Sequence, residues 1–301
     1  MNDTKGCKRH TTKVSLISLR KYLVVRLEEN KLFLVFENRR SMCYDVAAGT
    51  KSALKYAKHR GDSPEIIAEL EKQLELWLQK EGKHYHASGF IHPELMVFTN
   101  EKPFQPQAYV WGLIPHWVRL RDVAMNMMKQ TLNARAETLF EKPSFKESAQ
   151  SKRCLVYIDA FYEHHHFGGK AYPFHISMKD GSPLSIAGIW DEWLDRDTGE
   201  VFHTVSMVTT GANDMMKRIH NNPRSENSRM PVILPRGKQE EWLSVYRSRE
   251  DEYRLQQLLV PFDEDLLEYH TVRRIRGPHA MGNVPEAADE FVYEELSEFN
   301  R

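Results

Sequence analysis

The middle of the chain is written largely in alternating and continuous apolar runs. "ELMVFTN", "AYVWGLI", "RCLVYIDAFYE", "YPFHISM", "LSIAGIWDEW", "FHTVSMVTT" and "MPVIL" all lie beyond Ile91, and all are rich in β-branched and aromatic residues. Turn or helix signals separate them, so they predict strands. A different period precedes them. Asp62 and Ser63 offer N-caps, Pro64 suits a first helical turn, and Ile66, Ile67, Leu70, Leu74, Trp77 and Leu78 fall on one helical face. This predicts a helical insertion over about residues 62–82. Shorter helices are expected at Asn213 to Ile219, Gly237 to Tyr246 and Glu250 to Leu259, the last stopped by Pro261. With no internal repeat and no Gly/Pro-rich linker, the pattern predicts one α+β domain over residues 42–301: a strand-rich, barrel-like core flanked by short helices.

The first 41 residues have another character. They hold ten Lys and Arg against four Asp and Glu, and "YLVVRLEENKLFLVF" alternates weakly, as a hairpin would. The same stretch also reads as upstream nucleotide sequence carried into translation, and the expectation adopted is an extension outside the mature protein. Because the whole chain has 42 residues of each charge, the remainder is mildly acidic. Overall charge therefore gives no support to nucleic-acid binding, which has to rely on local patches such as "VRRIRG", Val272 to Gly277, and on isolated arginines. Apolar runs such as "KLFLVF" are too short to span a bilayer, and no secretory pattern is present, which makes a cytoplasmic protein the expectation. Three cysteines, Cys7, Cys43 and Cys154, without CxxC spacing, argue against a disulfide framework or a thiolate zinc site.

No phosphate-cradling glycine loop, GxSxG elbow or HExxH occurs. The candidate polar residues are Asn133 in "NARAET", Glu163 in "DAFYEHHH" and His220 in "MMKRIHNN". Singly each has an ordinary explanation: a turn or cap for the Asn, a solvated charge for the Glu, the negative end of a helix for the His. His164 and His166 alternate on one strand face, with His84 and His86 elsewhere, but the pattern supplies no further ligand and no metal is expected.

Seven blocks in order change that assessment. "MC" at Met42–Cys43, "WGLIPHW" at Trp111–Trp117, "NARAET", "RCLVYIDAFYE", "AGIWDEW", "VTTGAN" and "RMPVIL" together resemble the SRAP family, the SOS-response-associated peptidases understood as abasic-site processing proteins. The resemblance implies the SRAP fold and a covalent bond to abasic sites in single-stranded DNA, made by Cys43 once Met42 is gone. The chemistry explains a terminal cysteine. The ring-opened abasic sugar is an aldehyde, which a free α-amine attacks to form a Schiff base, and the β-thiol then closes a thiazolidine. An internal Cys43 has an amide nitrogen and cannot form that imine.

Carried over by position, the resemblance implies that Asn133 orients the amine or the sugar and that Glu163 moves protons. His220 protonates the opened sugar oxygen and assists reversal. Arg135 and Arg229 contact phosphates, and Trp111 and Trp117 support the DNA groove or stack on bases, although core packing suits both tryptophans equally well. The chain departs from the family where Tyr44 and Asp45 follow the cysteine in place of Gly-Arg, where His164 follows the glutamate in place of Trp, and where "NNPRSENS" lengthens the link from His220 to Arg229. No cofactor is implied, and a monomer is expected. Two other readings stand beside capture: a cysteine-dependent peptidase acting on its own leader, and a non-catalytic single-stranded-DNA-binding module. The state of the Cys43 nitrogen separates the three.

Overall fold

The computed structural model describes residues 15–19, 22–27, 31–35, 44–48, 54, 57–58, 62–81, 83–223 and 227–299. Met42 and Cys43 fall outside them. The chain divides into two compact units, residues 1–40 and 41–301. In the first, β1 (Ser15–Leu19), β2 (Tyr22–Leu27) and β3 (Lys31–Val35) form an antiparallel meander. The alternating stretch noted above makes the β2–β3 hairpin, with Leu23 opposite Val35 and Leu27 opposite Lys31.

The second unit begins with β4 (Asp45–Ala48), α1 (Pro64–Glu81), β5 (His84–Ser88), β6 (Glu94–Thr99), β7 (Gln107–Trp111) and α2 (Arg121–Met128). It continues through β8 (Asn133–Arg135), α3 (Lys146–Ser151), β9 (Arg153–Ile158), β10 (Ala160–Phe167), β11 (Lys170–Met178), β12 (Leu184–Leu194) and β13 (Val201–Gly211). The last elements are α4 (Asp214–Ile219), β14 (Arg229–Pro231), α5 (Gln239–Leu243), α6 (Arg249–Gln256) and β15 (Leu267–Thr271).

Strands β12, β9, β6, β7 and β13 pair in that order, and β13 pairs back to β12, so five strands close into a barrel. Closure removes the exposed edges that an open sheet of such apolar strands would present. The ring is antiparallel except between β7 and β13, and β8 and β14 are added along β13. A second antiparallel sheet follows the order β15-β11-β10-β4-β5. Its central hairpin turns through Gly168 and Gly169, at φ 56° and 75°, between Phe167 and Lys170. A two-residue hairpin turn with positive φ at both positions matches strand twist, and glycine meets that demand without steric cost. One apolar core links the sheets, with Val46, Val97, Trp111, Val156, Phe161, Phe174, Ile186 and Met216 all buried in it.

The mixed α+β architecture agrees with the sequence pattern, but several element bounds move. "RCLVYIDAFYE" is two strands, broken at Asp159, one in the barrel and one in the second sheet. The helical insertion is α1, entered as expected, with Ser63 Oγ accepting from the Ile66 N–H at 3.4 Å. Leu70 and Leu74 are buried while Ile66 is exposed, so the packed stripe is narrower than its periodicity suggests. Strands β4, β5 and β15 and helices α2 and α3 lie outside the predicted runs. Segments such as "HYHAS" and "LEYHT" are too polar to declare themselves strands and take that form by pairing with a neighbour.

Candidate active site

The candidate site forms where α4 meets β10. Asn213 caps α4, its side-chain oxygen accepting from the Met216 N–H at 2.8 Å, and the helix ends at His220. Three contacts lace this end to β10. His165 Nδ1 lies 2.9 Å from the Arg218 carbonyl. Asn221 accepts from the His166 N–H at 2.6 Å and donates to the His166 carbonyl at 3.0 Å. Between these clamps His220 faces Glu163, with Nδ1 to Oε2 at 3.5 Å. The imidazole is fixed further by the Arg229 carbonyl, which accepts from Nδ1 at 3.2 Å, and the His220 backbone is held by Ser228, whose hydroxyl donates to the His220 carbonyl at 2.6 Å.

Both members of this pair are almost inaccessible, Glu163 at 5% and His220 at 3% exposure. Burial pushes the Glu163 carboxyl above its ordinary range, and the nearby His220 only partly offsets this. Glu163 Oε1 has no hydrogen-bond partner among the described residues. A buried carboxyl with an unused oxygen and a raised pKa is suited to carrying a proton.

On the other side of β10 runs β4, with Asp45 opposite Tyr162. Continuing this antiparallel register by one residue brings Tyr44, the residue after Cys43, beside Glu163. Tyr44 is buried, and its carbonyl accepts from the Gly89 N–H at 2.7 Å. Asp45 is also buried, ion-paired with Arg276 and 3.1 Å from His86 Nε2. Burial opposes its ionisation, but the His86 hydrogen bond and the Arg276 charge win and hold its carboxyl below the usual value. Next to these groups, burial and then the Arg276 charge drive His164 down to about 4, which keeps its ring neutral at physiological pH.

The other predicted site residues are distributed differently. Asn133 is buried on β8, opposite Met207 of β13. Arg135, at the end of the same strand, is exposed. Trp117 is 44% exposed, whereas Trp111 is fully buried with its indole N–H donating to the Leu132 carbonyl at 2.8 Å. Of the two readings open for Trp111, core packing is the one seen. Arg229, the other arginine expected at a phosphate, has partners within the protein. It is buried, forms a two-pronged pair with Glu137 at 3.0 and 2.9 Å, and donates to the Thr209 carbonyl at 2.7 Å. Its guanidinium is thus spent inside the fold, where it braces β14 and the carbonyl that holds His220.

Sequence reading missed Asn221, His165 and Asp45 as parts of the site, and it marked Arg276 only as one charge of the "VRRIRG" patch. Asp45 was noted only as a lost arginine, and nothing local marks residue 276 as its partner across more than two hundred positions. Among the described residues no group of three or more His, Cys, Asp or Glu side chains is placed to hold a metal ion, and no helix is long and apolar enough to cross a membrane.

Comparison with known proteins bears on this arrangement. The sequence pattern of the SOS response associated peptidase family matches residues 42–275. Abasic site processing protein YoqW of Bacillus subtilis (strain 168) is 37% identical over 192 residues, covering 62% of this chain and 80% of that protein. Abasic site processing protein HMCES of Gallus gallus is 31% identical over 143 residues, covering 41% of this chain and 40% of that protein. A crystal structure of a protein from Bacteroides thetaiotaomicron superposes with a TM-score of 0.69 at 33% identity, covering 83% of this chain and all of that one. The matched span runs from the Met42–Cys43 pair through every strand of the barrel and both sides of the Glu163–His220 contact. This chain belongs to the SOS response associated peptidase (SRAP) family.

Proposed function

We propose that the protein processes abasic sites by capturing them covalently in single-stranded DNA through Cys43, as the first residue of its active form. The buried Glu163–His220 pair carries this reading, because it sets a proton-carrying carboxyl beside the strand that the chain enters just after Cys43. The names of the relatives supply the substrate class.

The α-amine of Cys43 adds to the C1′ aldehyde, and the resulting carbinolamine loses water to leave an imine. Glu163 in its protonated form donates to the departing hydroxyl, and its carboxylate later takes a proton back. The thiol sulfur then adds to the imine carbon while its proton passes to nitrogen, closing the thiazolidine with no change in oxidation level. His220 supports the opened sugar oxygen and the reverse reaction. Asn133 positions the amine or the sugar, Arg135 contacts phosphate, and Trp117 offers a face to a base.

The test is direct. Protein beginning at Cys43 is incubated with single-stranded oligonucleotides with and without an abasic site, and adducts that survive denaturation are counted. Cys43→Ala should abolish them. Cys154→Ala should not, since Cys154 is buried in the barrel and burial pushes its thiol well up. Equal loss in both folded variants, or an adduct formed by a chain whose Met42–Cys43 bond is intact, overturns the proposal.

A further inference from the structure

Arg276 is the first residue beyond the span that matches the family pattern, and its side chain reaches the candidate site. Its position is fixed on both sides. Val272 and Ile275 are buried against Ala47, Ala160 and Tyr162, residues of the same two strands, β4 and β10, that carry Asp45 and Glu163. After it the chain closes a turn, with the Met281 N–H donating to the Arg274 carbonyl at 2.9 Å and the Ala280 N–H to the Gly277 carbonyl at 3.1 Å. Asn283 then clips this turn to β5, accepting from the Tyr85 N–H at 2.7 Å and donating to the Lys83 carbonyl at 2.8 Å. The guanidinium that this frame presents pairs with buried Asp45 and lies over the Phe90 ring, its central carbon 5.3 Å from the ring centroid. Phe90 in turn rests 4.8 Å from the Tyr44 ring, centroid to centroid.

These contacts hold the arginine without consuming it. A guanidinium has five N–H donors in a rigid fork; one carboxylate engages part of them, and His86 shares the service of that carboxylate. The Arg276 side chain remains 39% exposed, and Phe90 and Ile91 beside it are exposed as well. A cation aimed by a buried carboxylate and flanked by an open aromatic face matches a nucleic-acid backbone with an unstacked base.

We propose that Arg276 is a phosphate-binding residue for the single-stranded DNA at this site, aimed by Asp45, with Phe90 as the stacking face beside it. This deepens the functional reading above and rests on that site receiving DNA. In it, the segment after residue 275 supplies a charge that the matched part of the chain does not provide at residue 45.

The experiment measures binding of an intact single-stranded oligonucleotide, without any abasic site, by fluorescence anisotropy across a salt series. Arg276→Gln should weaken binding about three- to tenfold at low salt, and it should flatten the slope of log affinity against log salt by about 0.7, the value for one phosphate contact on a single strand. Because Arg276→Gln leaves Asp45 short of a partner, the double variant Asp45→Asn/Arg276→Gln, which removes both charges, is measured in parallel and should show the same flattening. Phe90→Ala should lower affinity with the slope unchanged. Wild-type slope and affinity in folded Arg276 variants would assign the arginine to the fold alone and overturn the proposal, as would the absence of salt-sensitive binding in the wild type. Adduct yield on abasic DNA is scored separately, on wild-type protein beginning at Cys43: no adduct there, with the slope change of the Arg276 variants present, rejects covalent capture and leaves the phosphate contact standing.

Discussion

Asp45 and Glu163 sit on adjacent strands, are both buried, and are driven in opposite directions. Asp45 is served by His86 and Arg276 and stays ionised. Glu163 has a long 3.5 Å contact to His220 and an oxygen with no described partner, so burial raises its pKa. One carboxyl is held as a charge and the other is pushed toward its protonated form, and the difference lies in their neighbours, since their burial is nearly the same. Environments that split two nearby carboxyls in this way are a known means of assigning acid–base roles.

The most severe test of this contrast is Glu163→Gln, which keeps the shape and removes the titratable group. Single-turnover capture should slow roughly ten- to a thousandfold, with little change in affinity for intact DNA. An unchanged rate would remove Glu163 from the chemistry.

Asp45→Ala should act on stability instead. Removing a buried, paired carboxylate strands His86 and Arg276, at a cost of about 1–3 kcal/mol, below the range for fully enclosed pairs because Arg276 can return to water. Chemical denaturation at neutral pH measures it, and a cost near zero would show that the pair does not brace the fold.

The pH dependence should separate the two carboxyls by sign. Glu163 has a folded pKa above its unfolded one, so its ionisation costs wild-type stability as pH rises from about 4.5 through the folded value. Glu163→Gln should therefore match wild type in acid and become the more stable protein as pH rises through that window. Asp45 has a folded pKa below its unfolded one, so its contribution is present above about 3.8 and is lost as pH falls through the folded value. Asp45→Asn should be the weaker protein near neutrality and converge on wild type in strong acid. Parallel curves for the two variants would contradict the assignment.

The smallest effect is expected at the rim. Arg135→Ala should lower affinity for single-stranded DNA a few-fold and flatten its salt slope by about 0.7. Arg229→Lys should lose stability through its broken two-pronged pair with Glu137 and leave that slope intact, because Arg229 is buried. A flattened slope for Arg229→Lys would restore it as a phosphate contact.

Much of this was legible in one dimension. The α+β class, most barrel strands, the α1 insertion with its Ser63 cap and the Asn213 cap of α4 all follow from periodicity and end signals within a dozen residues. The motif blocks singled out Glu163 and His220 before any contact between them was visible, because a short polar signature survives in sequence even when its partner is 57 positions away. What the sequence could not determine was which polar residues share a space. Arg135 and Arg229 carry the same charge and both sit in recognisable blocks, yet tertiary packing leaves one in solvent and closes the other onto Glu137 and Thr209. Trp111 and Trp117 divide in the same way within a single seven-residue motif. Asp45 read alone was a missing arginine, and only the fold brings Arg276 to it from the far end of the domain. Local propensity depends on neighbours in the chain, so sequence carries it directly; burial, pKa and charge pairing depend on neighbours in space, and only the closed barrel and its partner sheet decide who those are.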